Sequence, residues 1–379
     1  LGTCQGTEEM FCVTPVKGDP YTCNRSHVLS LKMTGGKEAN GYEHHEVVNI
    51  SVDEYLKRSN TFRHCAKGYR VAVDFPVSDT QPPVDPYFFG VWLGDGKEKS
   101  VEVTTPDPEI VDCIRHEAEK CGARVTEQQG RGCRTYRIAG QKRAASELFQ
   151  TMKQLGVLNN KHVPSIYKFA SRQDRLQLLA GLLDTDGHCS HNGYDIIQKE
   201  RSIAEDIVFV ARSLGLSAYV SECRKGCQTG AVGTYYRCYI SGNTCIIPMR
   251  VSRKIPTERR QKKDVLVTGI KVESIGIGEY FGFELDGDGL FLLGDFTVTH
   301  NTRLMIELCQ WAAERYWRTV WYTNKRPLLE QTQGVFESYG LDYGTRAAGY
   351  RTDLAKSLQI ASLPTEVSRV LKRVERDVH

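Results

Sequence analysis

Leu179-Ala180-Gly181-Leu182-Leu183-Asp184-Thr185-Asp186-Gly187 reads as a short helix with an acidic end. A looser copy, Phe88-Phe89-Gly90-Val91-Trp92-Leu93-Gly94-Asp95-Gly96, stands about ninety residues upstream. In both copies the apolar and small residues predict a short helix, and the small residues allow two such helices to pack with their backbones close. Each helix ends on an acidic residue followed by glycine, which is expected to leave through a left-handed conformation. Packed as a pair, the helices would set Asp95 and Asp186 side by side at one end. Two buried helices with acidic ends would explain one copy; an internal repeat points instead to a shared site built from both.

The stretch at 179–187 resembles the LAGLIDADG signature of homing endonucleases at nearly every position, and the copy at 88–96 matches it more loosely. The resemblance implies an α+β unit at 79–258, opened by a proline-rich boundary at 79–85. The order helix, strand, helix, strands is read twice along it, as two αββαββ halves in a pseudo-twofold saddle. The sheets would face double-stranded DNA, a long asymmetric site bound by a monomer. Asp95 and Asp186 would hold Mg²⁺ for phosphodiester hydrolysis, with the carbonyls of Gly94 and Thr185 as further ligands. Asn160-Lys161-His162-Val163-Pro164 resembles the block that supplies a catalytic lysine in this family. Lys254 would be the symmetric lysine of the second half, and reads equally well as a surface basic residue. Arg131, Arg134, Arg137, Arg224, Lys225 and Arg237, interleaved with Tyr136, Tyr235 and Tyr236, are candidates for DNA contacts. The alternative for them is a solvated basic sheet face.

Charge agrees with a DNA partner. The 379-residue chain has a formal net charge of +4, but residues 87–254 hold 24 Lys and Arg against 18 Asp and Glu. The excess therefore sits on the segment carrying the repeat. No apolar run is long enough to span a bilayer and no secretory signal opens the chain, so no membrane partner is expected. The 13 cysteines follow no regular framework, which favours reduced thiols and an intracellular setting, cytoplasmic, nuclear or virus- or phage-encoded. Cys223 and Cys227, with His188, Cys189 and His191, match no usual zinc spacing.

The flanks have a different character. Residues 1–78 read as strands and turns, with Asn24 three residues before His27. Ser51 and Glu54 form a candidate capping box, and Tyr69–Phe75 alternates like a strand. Residues 278–302 are a hydrophobic β-run ending His300-Asn301-Thr302. These stretches resemble the conserved blocks of inteins, implying an all-β Hint splicing domain split between 1–78 and 259–301. In that family Asn24 and His27 would serve the upstream junction. His300 would assist Asn301, whose side-chain amide attacks its own carbonyl, and Thr302 would supply a hydroxyl nucleophile. The pattern departs from the family at Gly282 and Gly289, where some members carry Asp and His; Asp286 or Asp288 would then take those roles. Cys4 lies too near His27 for the usual first block, so the chain is expected to be an N-terminally truncated fragment.

Residues 302–379 alternate strands and helices in a way that resembles the first lobe of a DEAD/DEAH-like helicase, or of another P-loop ATPase. Thr302 fits the last residue of a phosphate loop whose Gly-Lys would lie on the upstream host segment. ATP and Mg²⁺ would be bound only by the complete spliced helicase. The fold class read from sequence is thus multidomain: split Hint, LAGLIDADG endonuclease, partial α/β helicase lobe. The alternatives are an insert that binds DNA without cutting it, and a helicase-associated DNA-binding module without splicing.

Overall fold

The computed structural model describes residues 3–76, 81–130, 132–140, 146–226, 232–258, 263–283, 289–300, 318–323, 326–338 and 340–369. It comprises two compact units. One is Leu1–Gly68, Gly269–Leu293 and Val298–His379; the other is Tyr69–Thr268 and Gly294–Thr297.

In the first unit, β1 (Thr3–Pro15) pairs antiparallel with β2 (Tyr21–Asn24) and with the long β14 (Ile270–Phe283). Beside them lie β3 (Val28–Met33), β4 (Val47–Ser51) and β5 (Ala66–Tyr69), with β3 central. Phe11, Val13, Leu29, Leu31, Met33 and Ile50 are buried together, the alternate residues of strands that turn one face inward. Of three short helices, α1 (Lys37–Asn40), α2 (Val52–Lys57) and α3 (Asn60–Cys65), the last two add Val52, Tyr55, Phe62 and Cys65 to this core. The capping box expected at the start of α2 is present: Ser51 Oγ accepts from Glu54 N at 3.2 Å and Glu54 Oε2 accepts from Ser51 N at 3.3 Å.

The second unit is built on α4 (Pro86–Asp95) and α8 (Arg172–Asp186). Asp85 and Ser171 cap their N-termini through side-chain oxygens. In chain order, α4 is followed by β6 (Glu102–Thr105), α5 (Pro108–Lys120), β7 (Arg124–Gln129), β8 (Arg134–Ala139), α6 (Glu147–Gln154) and α7 (Ser165–Lys168). After α8 come β9 (Gly187–Ser190), β10 (Gly193–Gln198), α9 (Arg201–Ser213), β11 (Ser217–Gly226), β12 (Val232–Ser241) and the short β13 (Val267–Thr268). The sheets run β6-β8-β7 and β11-β12-β10-β9. The second half has the expected αββαββ order. In the first half the initial strand is reduced to one bridge, Gly96↔Val103, because Lys97 N turns back onto Glu102 O at 2.8 Å. Side chains from α4, α8, α5, α9 and both sheets share one core.

Two sequence expectations are corrected here. Both motif helices leave through extended backbone, with Gly96 at φ −78° and Gly187 at φ −77°, and not through a left-handed turn. Glycine is required there for space: a Cβ would lie 2.3 Å from Trp92 O or 2.6 Å from Leu183 O. Residues 70–75 form no strand. Their alternation serves packing instead, with Phe75 between Phe169 and Phe209 and with Val73 N bonded to Ser213 O. Cys223 on β11 and His188, Cys189 and His191 around β9 belong to opposite edges of one sheet and do not converge on one ion, and Cys227 lies outside the described residues.

Back in the first unit, β15 (Leu290–Leu292) pairs with β16 (Val298–His300). Further on, β17 (Thr319–Thr323), β18 (Tyr343–Arg346) and β19 (Leu358–Ser362) form a parallel sheet in the order β17-β19-β18. The helix α10 (Arg326–Ser338) packs its Leu329 and Phe336 with Leu358 and Ile360. Parallel strands joined through a helix are the arrangement that alternating elements predict. Residues 303–317, the start of the alternating stretch, lie outside the described residues. No described helix is long and apolar enough to cross a membrane.

Candidate active site

The approach of α4 and α8 is set by two glycines. A Cβ on Gly90 would stand 2.2 Å from Leu178 O, and one on Gly181 would stand 2.1 Å from Tyr87 O. Only hydrogen fits at these positions, so the two backbones touch there and their C-terminal ends arrive together. At that end a Cβ on Gly94 would be 2.0 Å from Thr185 Oγ1 and 3.5 Å from Asp186 Oδ2.

Asp95 and Asp186 therefore share one end of the pair. Burial raises the Asp95 carboxyl to about 6, and the Asp186 charge adds to the rise against the opposing pull of Lys254 and Lys161. Asp186 Oδ2 accepts from Gln198 Nε2 at 2.8 Å, an amide donor on β10.

The last carbonyls of a helix have no partner within it and carry the negative end of its dipole. Each motif helix meets this with a lysine. Lys161 Nζ donates to Leu93 O at 2.9 Å, Gly94 O at 3.4 Å and Gly96 O at 2.6 Å. Lys254 Nζ donates to Leu183 O at 3.1 Å, Asp184 O at 2.7 Å and Thr185 O at 2.7 Å. The two caps are equivalent by the pseudo-twofold. Burial lowers Lys161 to about 8 and also lowers Lys254. Lys254 is thus placed as Lys161 is, and is no ordinary surface residue.

The donor set fits a hard divalent cation. Among the described residues no cluster of three or more His, Cys, Asp or Glu could enclose a metal. A magnesium ion needs no such cage, since it takes one or two carboxylates and fills its octahedron with water and substrate phosphate oxygens. Two carboxylates that repel one another supply that demand for positive charge. The carbonyls of Gly94 and Thr185 already accept from the lysines, so either would have only its second lone pair to offer.

The sheet residues sort by face. Arg137 and Arg237 are exposed, held by Glu102 at 3.7 Å and Asp195 at 3.3 Å. Arg134 pairs with Glu127 at 2.7 Å, and Arg224 and Lys225 are exposed near the end of β11. Arg131 lies outside the described residues. Tyr136 is 6% exposed and turned into the core, so it is removed from the DNA-contact candidates. Tyr239, unremarked in the sequence, shares the exposed face of β12 with Tyr235 and Arg237 and is 45% exposed. Strand periodicity could have found it, since 235, 237 and 239 alternate with the core residues Cys238 and Ile240.

The first unit carries a second constellation. His27 Nε2 lies 2.7 Å from Thr299 Oγ1, next to His300 on β16. Burial and the neighbouring His300 lower His27 to about 4, so its imidazole is neutral at physiological pH. Asn24 Nδ2 donates to Glu8 Oε2 at 3.1 Å and to Ser26 Oγ at 2.9 Å. Cys4 lies opposite Gly282 in the β1–β14 ladder. Asp286, Asp288, Asn301 and Thr302 lie outside the described residues.

Comparison with known proteins adds the following. Residues 162–266 match the family model described as Homing endonuclease. The chain is 34% identical over 154 residues to the replicative DNA helicase DnaB of Mycobacterium intracellulare, covering 40% of this chain and 22% of that protein. It is 24% identical over 249 residues to the homothallic switching endonuclease of Saccharomyces cerevisiae, covering 55% of this chain and 42% of that protein. The chain thus spans less than half the length of either relative. Among solved structures, I-DmoI in complex with DNA and Ca aligns with a TM-score of 0.30 and 14% identity, over 41% of this chain and 82% of that one. Residues 162–266 are thus similar to homing endonucleases, and parts of the chain share sequence with a helicase and with an endonuclease.

Proposed function

We propose that residues 79–258 form a Mg²⁺-dependent endonuclease that cuts both strands of a long site in double-stranded DNA. It would be inserted in a protein-splicing element, 1–78 and 259–301, which interrupts a helicase continuing at 302–379. The observation that carries the endonuclease reading is the end of the helix pair: Asp95 and Asp186 together, each helix end capped by a lysine. Bound Mg²⁺ would supply Lewis-acid charge on the scissile phosphate and acidify the attacking water. The chain's own groups do the rest. Asp95 and Asp186 orient the cation, and Gln198 fixes the Asp186 carboxylate. Lys161 and Lys254 place positive charge where the phosphate gathers negative charge. Arg134, Arg137, Arg224, Lys225 and Arg237, with Arg131, would contact the DNA. The names of the two relatives, a switching endonuclease and a replicative helicase, support the two halves of this reading.

In the splicing element, neutral His27 would polarise the upstream scissile amide, assisted by Asn24. His300 would protonate the leaving group as Asn301 cyclises, and Thr302 would be the nucleophile of the preceding transesterification. The protein would act inside the cell as a monomer. ATP would be used only by the spliced helicase.

The test is cleavage of a plasmid carrying the uninterrupted helicase gene, with Mg²⁺, beside Asp95→Asn and Asp186→Asn. A double-strand cut near the phosphate-loop codons, reduced at least about 100-fold in each variant, is expected. Salt-sensitive binding of the same DNA without any cut would overturn the nuclease and leave a DNA-binding insert.

A further inference from the structure

Lys161 lies on the irregular segment 157–164, and Lys254 ends a 3-10 turn, Ser252–Lys254, within the segment 247–257; neither segment belongs to a sheet. What fixes them is a set of carboxylates. Val163 N donates to Asp206 Oδ2 at 2.8 Å, two residues from Lys161, and Lys168 pairs with the same carboxylate. Arg250 N and Val251 N donate to Asp184 Oδ2 and Oδ1 at 2.8 and 3.2 Å, three residues from Lys254. Tyr87 OH adds a third donor to Asp184 Oδ2 at 2.7 Å. Both carboxylates are buried, Asp184 at 0% and Asp206 at 8% exposure.

The second lysine segment is held further by α5. Ser252 Oγ donates to Glu109 Oε1 at 3.2 Å, and Arg253 grips Asp107 at 2.7 and 3.0 Å. The arrangement crosses over. The segment following the first half is held by α9 of the second half, and the segment following the second half is held in part by α5 of the first.

A buried carboxylate demands donors, and one that accepts main-chain N–H groups makes short, directional bonds. Such bonds set the register of a loop far more narrowly than apolar contact does. Asp184 could have been satisfied by Tyr87 and a guanidinium. It takes instead two consecutive amides of the lysine segment, while the Arg250 guanidinium stacks on the Tyr87 ring at 3.6 Å.

We propose that Asp184 and Asp206 are positioning residues, one for each lysine: Asp184 holds Lys254, and Asp206 holds Lys161, against the carbonyl ends of the motif helices. On the endonuclease reading, each carboxylate then governs the cutting of one DNA strand.

The test uses Asp184→Asn and Asp206→Asn in the full chain, with Tyr87→Phe as a control that keeps both amide bonds. Amine labelling of the metal-free protein, read by mass spectrometry, reports each lysine separately. Labelling of Lys254 should rise about tenfold in Asp184→Asn with Lys161 unchanged, and the reverse should hold in Asp206→Asn. Tyr87→Phe should change neither. On DNA, each variant should accumulate nicked product, in opposite strands, with affinity within about threefold of the parent. Equal labelling of both lysines, or no change in either, overturns the proposal, as does equal slowing of both strands. Should Asp184→Asn not fold, Asp206→Asn carries the same test. If the parent protein cuts no DNA, the endonuclease reading fails, while the labelling still decides whether the carboxylates hold the lysines.

Discussion

Asp95 shows how a site of this kind trades stability for charge. Its folded-state carboxyl titrates at about 6 against an ordinary 3.8. Below 3.8 the folded and unfolded chains are both protonated and nothing is lost. As pH rises towards 6 the unfolded chain ionises first, so the folded state loses stability, and above 6 the loss is complete. Allowing for solvent screening, it amounts to about 1–2 kcal/mol. Asp95→Asn should therefore unfold at higher denaturant than the parent at pH 7 without metal, and the two should converge near pH 4. Mg²⁺ should restore the parent and leave the variant unmoved. Lys254 has a companion test. Lys254→Met should slow the cutting of one strand at least about 100-fold, leaving nicked DNA, with little change in DNA affinity, measured by single-turnover kinetics. The sequence drew both aspartates and Lys161 out of the motifs. Gln198 and Asp184 escaped it, because a glutamine on a strand and an aspartate inside an apolar motif carry no signature of their partners.

At the scale of elements, the contact of α4 with α8 decides whether the site exists. Gly90→Ala or Gly181→Ala must drive apart two backbones that now meet with no room for a methyl group. About 3 kcal/mol of stability should be lost, read as a lower midpoint in urea, and metal binding should weaken with it as the carboxylates separate. Gly122→Ala would meet no atom within 4 Å, but its φ of +57° strains a side chain; it should cost only about 1 kcal/mol and leave the site intact. The helices themselves were legible from small residues, caps and acidic ends. The lost first strand of the first half was not, since Val101-Glu102-Val103 has the same alternation whether it pairs along its length or meets Gly96 at one bridge.

For the whole chain, two chemistries are proposed on separate stretches of sequence, and they should separate by mutation. Asn301→Ala should abolish scission at Asn301–Thr302, followed by mass spectrometry, and leave DNA cleavage within about twofold of the parent. Asp186→Asn should do the opposite. Persistence of the same peptide cut in Asn301→Ala would remove asparagine cyclisation from the account. His27 beside Thr299 and His300 joins residues 272 positions apart in sequence, a contact that strand patterns alone could not pair.

The repeat, the helix pair and its acidic ends, the charge on that segment and the strand-rich flanks were all readable from the linear chain. Those features are local or periodic, and residue type and spacing encode them directly. That Lys254 caps a helix as Lys161 does, that Tyr136 faces the core, and that segments 157–164 and 247–257 hang on buried carboxylates came only with the packed fold. Each depends on which distant main-chain group comes within about 3 Å of a side chain, a distance set by packing and not by neighbours along the chain.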